Sequence, residues 1–363
     1  MTTRLPLPSL LAALLALTAA LTPTELFAGK GRKTSSVNDA QAAEAVAYGR
    51  REDLMALAAG IAERRALDAA WVESTLAQAR YVPSVVRLMQ PAPPGTPKNW
   101  AAYRARFVEP VRIRAGVAFW REHEPWLREA EARFGVPAEV VVGIVGVETI
   151  YGRHPGNYRV LDALATLSLD FPRDARRDRS AFFRDELEAF LLLCRQRDHD
   201  PLAPRGSYAG ASGMPQFMPS SQLRYAVDFD GDGRIDLDTS GADVIGSVAN
   251  YLAVFGWQPG QPTHYGVNAP TDVSDRAALL LPDILPSFSA AQFAERGAVL
   301  DAAGRDHAGP LALVELQNGE AAPSYVAGTQ NFYAITRYNW SSYYAMAVID
   351  LGQAVAAVVR STR

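Results

Sequence analysis

Apolar positions in residues 39–89 recur at helical spacing, first as Leu54, Leu57, Ala58 and Ile61 and then as Leu67, Trp71 and Leu76, so this stretch is expected to form several helices. Residues 90–98 hold four prolines and a glycine and read as a loop or linker. Helical spacing resumes over residues 100–134, where Tyr103, Phe107, Phe119, Trp120 and Trp126 are expected in a core. Further helices are expected around residues 137–152, 185–195, 244–255 and 341–358. Between Pro259 and Asn331 the character changes. Proline and glycine become frequent, and short runs such as 311–316 and 332–336 alternate or favour strands, which suggests a small β-rich unit inserted into a helical framework.

Within that pattern one position breaks the rule. The run VVVGIVGVETIYGR, residues 140–153, is uncharged and mostly apolar except for Glu148 and the closing arginine. Pro137 suits a first helical position and Glu139 a first turn. At 100° per residue Glu148 shares a stripe with Val141, Ile144, Val145 and Tyr151. Glutamate is seldom buried without a partner or a task. A carboxyl placed there has its charged form disfavoured by desolvation, which keeps it a proton donor near neutral pH, as a general acid in glycoside cleavage requires. The alternative is a structural ion pair with Arg153 or Arg159.

Composition narrows the class. The chain has 363 residues, 48% of them hydrophobic, enough for a large core and two or three structural units. A formal charge of −3 and the absence of a long basic tract make nucleic acid an unexpected partner. The N-terminus carries Arg4, a Leu/Ala-rich run over residues 10–21 and small residues near 18–20 and 28, which reads as an export signal over about residues 1–28; a membrane anchor is the alternative. No cysteine lies near the cleavage region, so a lipid-modified N-terminus is not expected. Cys194 is the only cysteine, which leaves no internal disulfide, and it reads as core packing. His154 and His199 fall in no triad pattern and read as structural.

Three further constellations carry chemistry. DFDGDGRIDLDTSGAD, residues 228–243, places Asp228, Asp230 and Asp232 at positions one, three and five of a calcium loop, Gly233 at the sharp turn and Ile235 at position eight. The Arg234 carbonyl falls at position seven. Position twelve is Thr239 where a bidentate glutamate is usual, so Asp236, Asp238 or Asp243 must supply the missing carboxylate, and Asp243 is preferred. GSYAGASGMPQFMPSS, residues 206–221, combines small residues with Ser207, Tyr208 and Gln216, a composition that suits either a tight loop or a sugar site. Arginines at 173, 176, 177, 179 and 184 interleave with Asp174, Asp178 and Asp185. Such runs are commonly solvated, but one or two of these arginines could meet substrate carboxylates.

GVETIYGR, GSYAGASGMPQFMPSS, the aspartate loop, IGSVANYLAVFGW and TRYNWSSYYAMAV occur in one order, and in this the chain resembles the B-type soluble lytic murein transglycosylases, glycoside hydrolase family 103. The resemblance covers roughly residues 134–257 and 336–363. It implies an α+β, mainly α fold: a helical domain at 37–133, a lysozyme-like core with the calcium loop at 134–258, a small β domain at 259–331 and a C-terminal helical segment at 332–363. It further implies Glu148 as catalytic acid/base, Ser207, Gln216, Tyr251, Tyr338 and Asn339 lining the sugar groove, and Arg173 and Arg177 as cleft arginines. A structural Ca2+ is implied on Asp228, Asp230, Asp232, the Arg234 carbonyl and Asp243.

The implied activity is a lyase acting on peptidoglycan strands in the periplasm, by a monomer, with other cell-wall enzymes as further partners and no organic cofactor. Glu148 would cleave the bond between N-acetylmuramic acid and N-acetylglucosamine and leave a 1,6-anhydro end. Two other readings stay open at this point. One is a hydrolytic muramidase using Asp162 or Asp170 as a second carboxylate, and the other a non-catalytic cell-wall-binding protein. The stretch FPRDARRDRSAFF is longer than the family's usual version, and the family's common lipoprotein cysteine is missing.

Overall fold

The structure, a computed structural model, describes residues 45–362 apart from 92–96, 174 and 176. The apolar run read as an export signal lies outside these residues. Along the chain, α1 (Glu52–Arg65), α2 (Ala69–Leu76) and α3 (Pro83–Leu88) precede α4 (Trp100–Phe107), α5 (Pro110–Glu122), α6 (Glu124–Phe134) and α7 (Ala138–Thr149). Then come α8 (Val160–Leu169), α9 (Ser180–Gln196), α10 (Pro219–Tyr225) and α11 (Gly241–Val254). Three short helices, α12 (Val273–Leu280), α13 (Ala290–Glu295) and α14 (Ala302–Arg305), lie among strands, and α15 (Gln330–Tyr338) and α16 (Ser342–Ser361) close the chain.

Helix ends follow local chemistry. The α1 helix opens on Glu52 and Asp53 and closes on Arg64 and Arg65, charges that match its dipole. The Asp68 and Asn99 side chains accept amides of the first turns of α2 and α4. Two-residue strands β1 (Val46–Ala47) with β2 (Arg80–Tyr81), and β3 (Tyr158–Arg159) with β4 (Arg205–Gly206), tie loops together. The larger sheet is antiparallel, in the order β6 (Val299–Leu300), β5 (His264–Asn268), β8 (Ala321–Gly328), β7 (Ala312–Asn318).

Three apolar cores hold these elements, and they do not follow chain order. Leu54, Ile61, Val72 and Leu76 pack with Leu161, Leu164, Phe183 and Leu187, so the first helices cover α8 and α9. Cys194 is buried in this core. Residues on both sides of position 133, from Val117 and Leu127 to Val136 and Ile144, share a second core with α11, α15 and α16. Leu279, Phe293, Leu311 and Ala327 form a third core beneath the sheet.

Two local expectations need correction. Residues 332–336 do not form a strand; they are the middle of α15. The Thr329 hydroxyl accepts the Asn331 amide to start that helix, and the Asn331 side chain bonds the Gln258 backbone on both sides and the Gln261 carbonyl. Phe332, Ala334 and Ile335 then turn into the core, so tertiary packing decides a sequence that suits either period. The Glu148 helix, α7, begins after Pro137 and ends earlier than Gly152. Ile150 and Tyr151, at φ 52° and 56°, both adopt the left-handed conformation.

The close approach of α7 and α16 sets up the site. A Cβ on Gly143 would lie 2.2 Å from the Val348 carbonyl oxygen, and one on Gly352 would lie 2.1 Å from that of Glu139. These two contacts run antiparallel in step: four residues forward on α7 match four residues back on α16. Continued by about one more turn, the same register brings Glu148 to Tyr344.

Candidate active site and cation loop

Glu148 lies in the last turn of α7, half-buried among apolar neighbours. Its Oε1 accepts a hydrogen bond of 2.6 Å from the Tyr344 hydroxyl. Burial pushes its carboxyl up to about 7, while the Tyr344 hydroxyl and the Arg112 guanidinium act in the opposite direction. At this pH the group is poised between donor and acceptor. The ion pairs considered from the sequence do not form: Arg153 is exposed, and Arg159 bonds Asp162 at 2.5 Å.

Arg112 reaches the site from α5. Its Nη1 donates to the Gly146 and Val147 carbonyls at 3.2 and 3.4 Å, the open end of α7, and its guanidinium packs 5.0 Å from the Phe107 ring centroid. Beyond Glu148 the chain reverses through Ile150 and Tyr151. A β-branched residue in the left-handed region is strained, and such strain gathers at functional sites. The Tyr151 hydroxyl is buried without a hydrogen-bond partner against Gly116 and Gly146, where a Cβ would lie 2.3 and 2.4 Å from it.

The Gly-rich segment approaches from the other side. Thr149 donates through Oγ1 to the Met214 carbonyl at 2.8 Å, which joins the segment to the residue after Glu148. Ser207 is buried, and its Oγ accepts the Ala209 and Ala211 amides, which leaves the hydroxyl proton to donate elsewhere. Gln216 sits at φ 51° and its Nε2 donates to the Pro155 and Gly213 carbonyls. Tyr338 is buried, donates to the Pro215 carbonyl at 2.5 Å and stacks on Tyr344 with 6.3 Å between centroids. Tyr251 packs 4.9 Å from Tyr338 and donates to the Arg337 carbonyl, so its hydroxyl is committed within the fold. Asn339 is buried, and its Oδ1 has no hydrogen-bond partner. An orphaned buried acceptor marks a place where a ligand donor is wanted.

The other expected residues are placed differently. Arg173 and Arg177 are exposed between α8 and α9; Asp174 and Arg176 lie outside the described residues. Asp162 is held by Arg159 and the Arg80 amide, and Asp170 by the Tyr48 hydroxyl at 2.5 Å and by Arg51. Both candidate second carboxylates are therefore tied into the first core. Tyr344, Arg112 and Tyr103 are neighbours of Glu148 that the residue pattern does not assign to the site; Tyr103 is expected there only as a core aromatic. Tyr344 lies within the TRYNWSSYYAMAV motif, but a tyrosine on an apolar helix reads as core.

In the aspartate loop, oxygens of Asp228, Asp230 and Asp232 all come within 4.8 Å of one another, and Gly231 and Gly233 make the turns at φ 74° and 89°. An all-carboxylate oxygen set of this size suits a hard divalent cation such as Ca2+. Asp243 stands outside that cluster. It is almost fully buried, and its two oxygens accept the Phe229 and Asp236 amides at 2.8 and 2.7 Å, which ties the two ends of the loop together from below.

Comparison with known proteins agrees with this arrangement. The transglycosylase SLT domain family matches residues 49–353. Membrane-bound lytic murein transglycosylase B of Escherichia coli strain K12 is 42% identical over 301 residues, covering 81% of this chain and 80% of the relative. The E. coli lytic transglycosylase Slt35 in complex with bulgecin A superimposes with a TM-score of 0.75 at 39% identity, over 88% of this chain and 98% of that one. Its structure in complex with calcium gives 0.74 at 38%, with the same coverage. With a lone desolvated glutamate, the glycine-rich segment against it and a family match running through both, the chain belongs to the transglycosylase SLT domain family.

Proposed function

We propose that this chain is a lytic murein transglycosylase that cleaves the β-1,4 bond between N-acetylmuramic acid and N-acetylglucosamine, with Glu148 as the single general acid and base. The observation that carries this reading is a half-buried carboxyl held near pH 7 by desolvation while Asp162 and Asp170 are engaged elsewhere. Most glycosidases use two carboxylates. With one, the nucleophiles must come from the substrate.

Protonated Glu148 gives its proton to the glycosidic oxygen, and the muramyl acetamido group stabilises the developing cation. The carboxylate so formed takes the proton of the muramyl C6 hydroxyl as that oxygen attacks C1. The bond to the leaving sugar breaks, a 1,6-anhydro ring closes, and no water is consumed. Ser207 through its hydroxyl proton and Asn339 through its unpaired Oδ1 hold the sugar, and Gln216, Tyr338 and Tyr251 shape the groove, a positioning role worth orders of magnitude in rate. Asp228, Asp230, Asp232 and the Arg234 carbonyl are suited to hold a structural Ca2+, with Asp243 bracing the loop. The place of action is the periplasm and the partner is the glycan strand of peptidoglycan.

The test is mass spectrometry of muropeptides released from purified peptidoglycan. Wild-type products should be lighter by one water than hydrolysed muropeptides. Glu148→Gln should lose at least about a hundredfold in turnover while still binding the polymer. Hydrated products would instead indicate a muramidase, and release undiminished by Glu148→Gln would remove Glu148 from its role.

A further inference from the structure

Taking a guanidinium out of water is costly unless it is paired, yet Arg112 is half-buried and forms no ion pair among the described residues. Its Nη1 reaches the Gly146 and Val147 carbonyls, and its Nε is buried without a hydrogen-bond partner. Glu109, three residues earlier, uses both carboxylate oxygens on the Val111 and Arg112 amides at the start of α5. The other acidic groups that act on Arg112 are Glu148 and the Tyr151 hydroxyl, which is itself buried without a partner. A helix end can be capped by water or by a solvated lysine, so capping α7 does not account for a desolvated arginine with an unpaired Nε.

The surroundings of Glu148 show what the charge is for. Tyr344 from α16, Tyr338 from α15 and Tyr103 from α4 interact with its carboxyl, and burial pushes these hydroxyls up, Tyr103 to about 12 and the others well above the ordinary tyrosine value, so all three stay neutral. The helices α6 and α11, which also pack on α7, bring no charged side chain to it. Arg112 from α5 is the charged group that acts on Glu148. In the proposed reaction Glu148 gives its proton to the glycosidic oxygen as the bond to C1 breaks, and regains one from the C6 hydroxyl as the new C6–O–C1 link forms. Between these events it is an anion in a desolvated place, which a neutral hydroxyl offsets less than a cation does. We propose that Arg112 is a positioning residue for this proton cycle: held against the open end of α7, its guanidinium supplies the positive charge that stabilises the Glu148 carboxylate between losing one proton and taking the next. The proposal rests on the reading of Glu148 as acid and base, and adds the residue that lets one carboxyl serve as both.

The experiment compares wild type with Arg112→Met, which removes the charge, and Arg112→Lys, which keeps it without the planar fork. Turnover of soluble glycan strands is followed against pH. The Glu148 carboxyl is also titrated directly by 13C NMR of protein carrying labelled glutamate, its signal assigned by its loss in Glu148→Gln. Arg112→Met should move both the alkaline limb of kcat/KM and the carboxyl titration to higher pH by about one unit, because the anion loses its counter-charge. A weaker acid transfers its proton more slowly, so kcat should fall at least about tenfold while KM stays within about twofold. Arg112→Lys should restore the limb and most of kcat. A capping role alone would lower the melting temperature of both variants and leave the limb and the titration in place; that result would overturn the proposal, as would an Arg112→Lys that behaves like Arg112→Met. If methionine prevents folding, Arg112→Gln is the uncharged variant, with the same shift expected. Turnover that survives in Glu148→Gln would remove the acid/base reading itself, whereas an inactive Glu148→Gln with an unmoved titration in Arg112→Met would remove Arg112 alone.

Discussion

Glu148 shows how one side chain's surroundings fix its chemistry. Burial raises its pKa to about 7, and the Tyr344 hydroxyl, by donating to the carboxylate, restrains that rise. In the proposed role the free enzyme carries the proton that starts the reaction, so kcat/KM should fall on the alkaline side with an apparent pKa of about 7. Removing the donor in Tyr344→Phe destabilises the charged form. Its alkaline limb should therefore move to higher pH, and the rate at pH 6 should drop several-fold because the carboxyl loses its anchor. A pH–rate profile of both proteins checks this; a limb that stays in place or moves to lower pH would break the link between Tyr344 and the proton. The stability sign is equally definite. A carboxyl whose folded pKa is raised favours folding below its unfolded pKa, and that contribution is lost as pH rises through about 7. Glu148→Gln should therefore melt above wild type at pH 8, with the gap shrinking toward pH 5.

At the scale of elements, the pairing of α7 with α16 turns a half-buried glutamate into a site. Gly143 and Gly352 let the two backbones approach so closely that no side chain fits between them. In Gly143→Ala the new methyl would meet the Val348 carbonyl, and overpacking of this kind costs about 1–3 kcal/mol. Thermal melts should show that loss, and kcat should fall with it, since a shift of α16 moves the Tyr344 hydroxyl off Glu148. This crossing also marks the limit of what the residue pattern reveals. The Glu148 helix is legible because a lone charge in an apolar run stands out, and the aspartate loop is legible because its ligands are local. Tyr344 is not, because its partner lies 196 residues away and the helix around it is apolar on any reading. The sequence does not exclude Asp162 and Asp170 as second carboxylates for the same reason: Arg80 and Tyr48, which engage them, are 82 and 122 residues distant. Residues 332–336 form a helix where their alternation suggests a strand, because contacts of Asn331 to Gln258 and Gln261, rather than intrinsic preference, start α15.

Over the whole molecule, the aspartate loop and the Glu148 helix form one connected frame. The Leu237 carbonyl, just past the loop's cluster of carboxylates, accepts the Met214 amide at 2.8 Å, and the Met214 carbonyl accepts the Thr149 hydroxyl at 2.8 Å. A Cβ on Gly213 would lie 2.8 Å from the same Leu237 oxygen, so the two segments cannot slide past each other freely. A divalent cation on Asp228, Asp230 and Asp232 would offset two of the three negative charges that otherwise repel there, and at a hundredfold excess over its Kd it would add about 2.7 kcal/mol to folding. Chelation should therefore lower the melting temperature by a few degrees, calcium should restore it, and Asp228→Asn/Asp230→Asn should melt low and ignore both treatments. Because the frame continues into Thr149, turnover at a temperature well below the melt should also fall on chelation, in kcat more than in KM. An unchanged melting temperature would show that the loop holds no stabilising cation. A lowered melt with unchanged kcat would confine the cation's effect to folding and leave Met214 without a part in aligning Glu148.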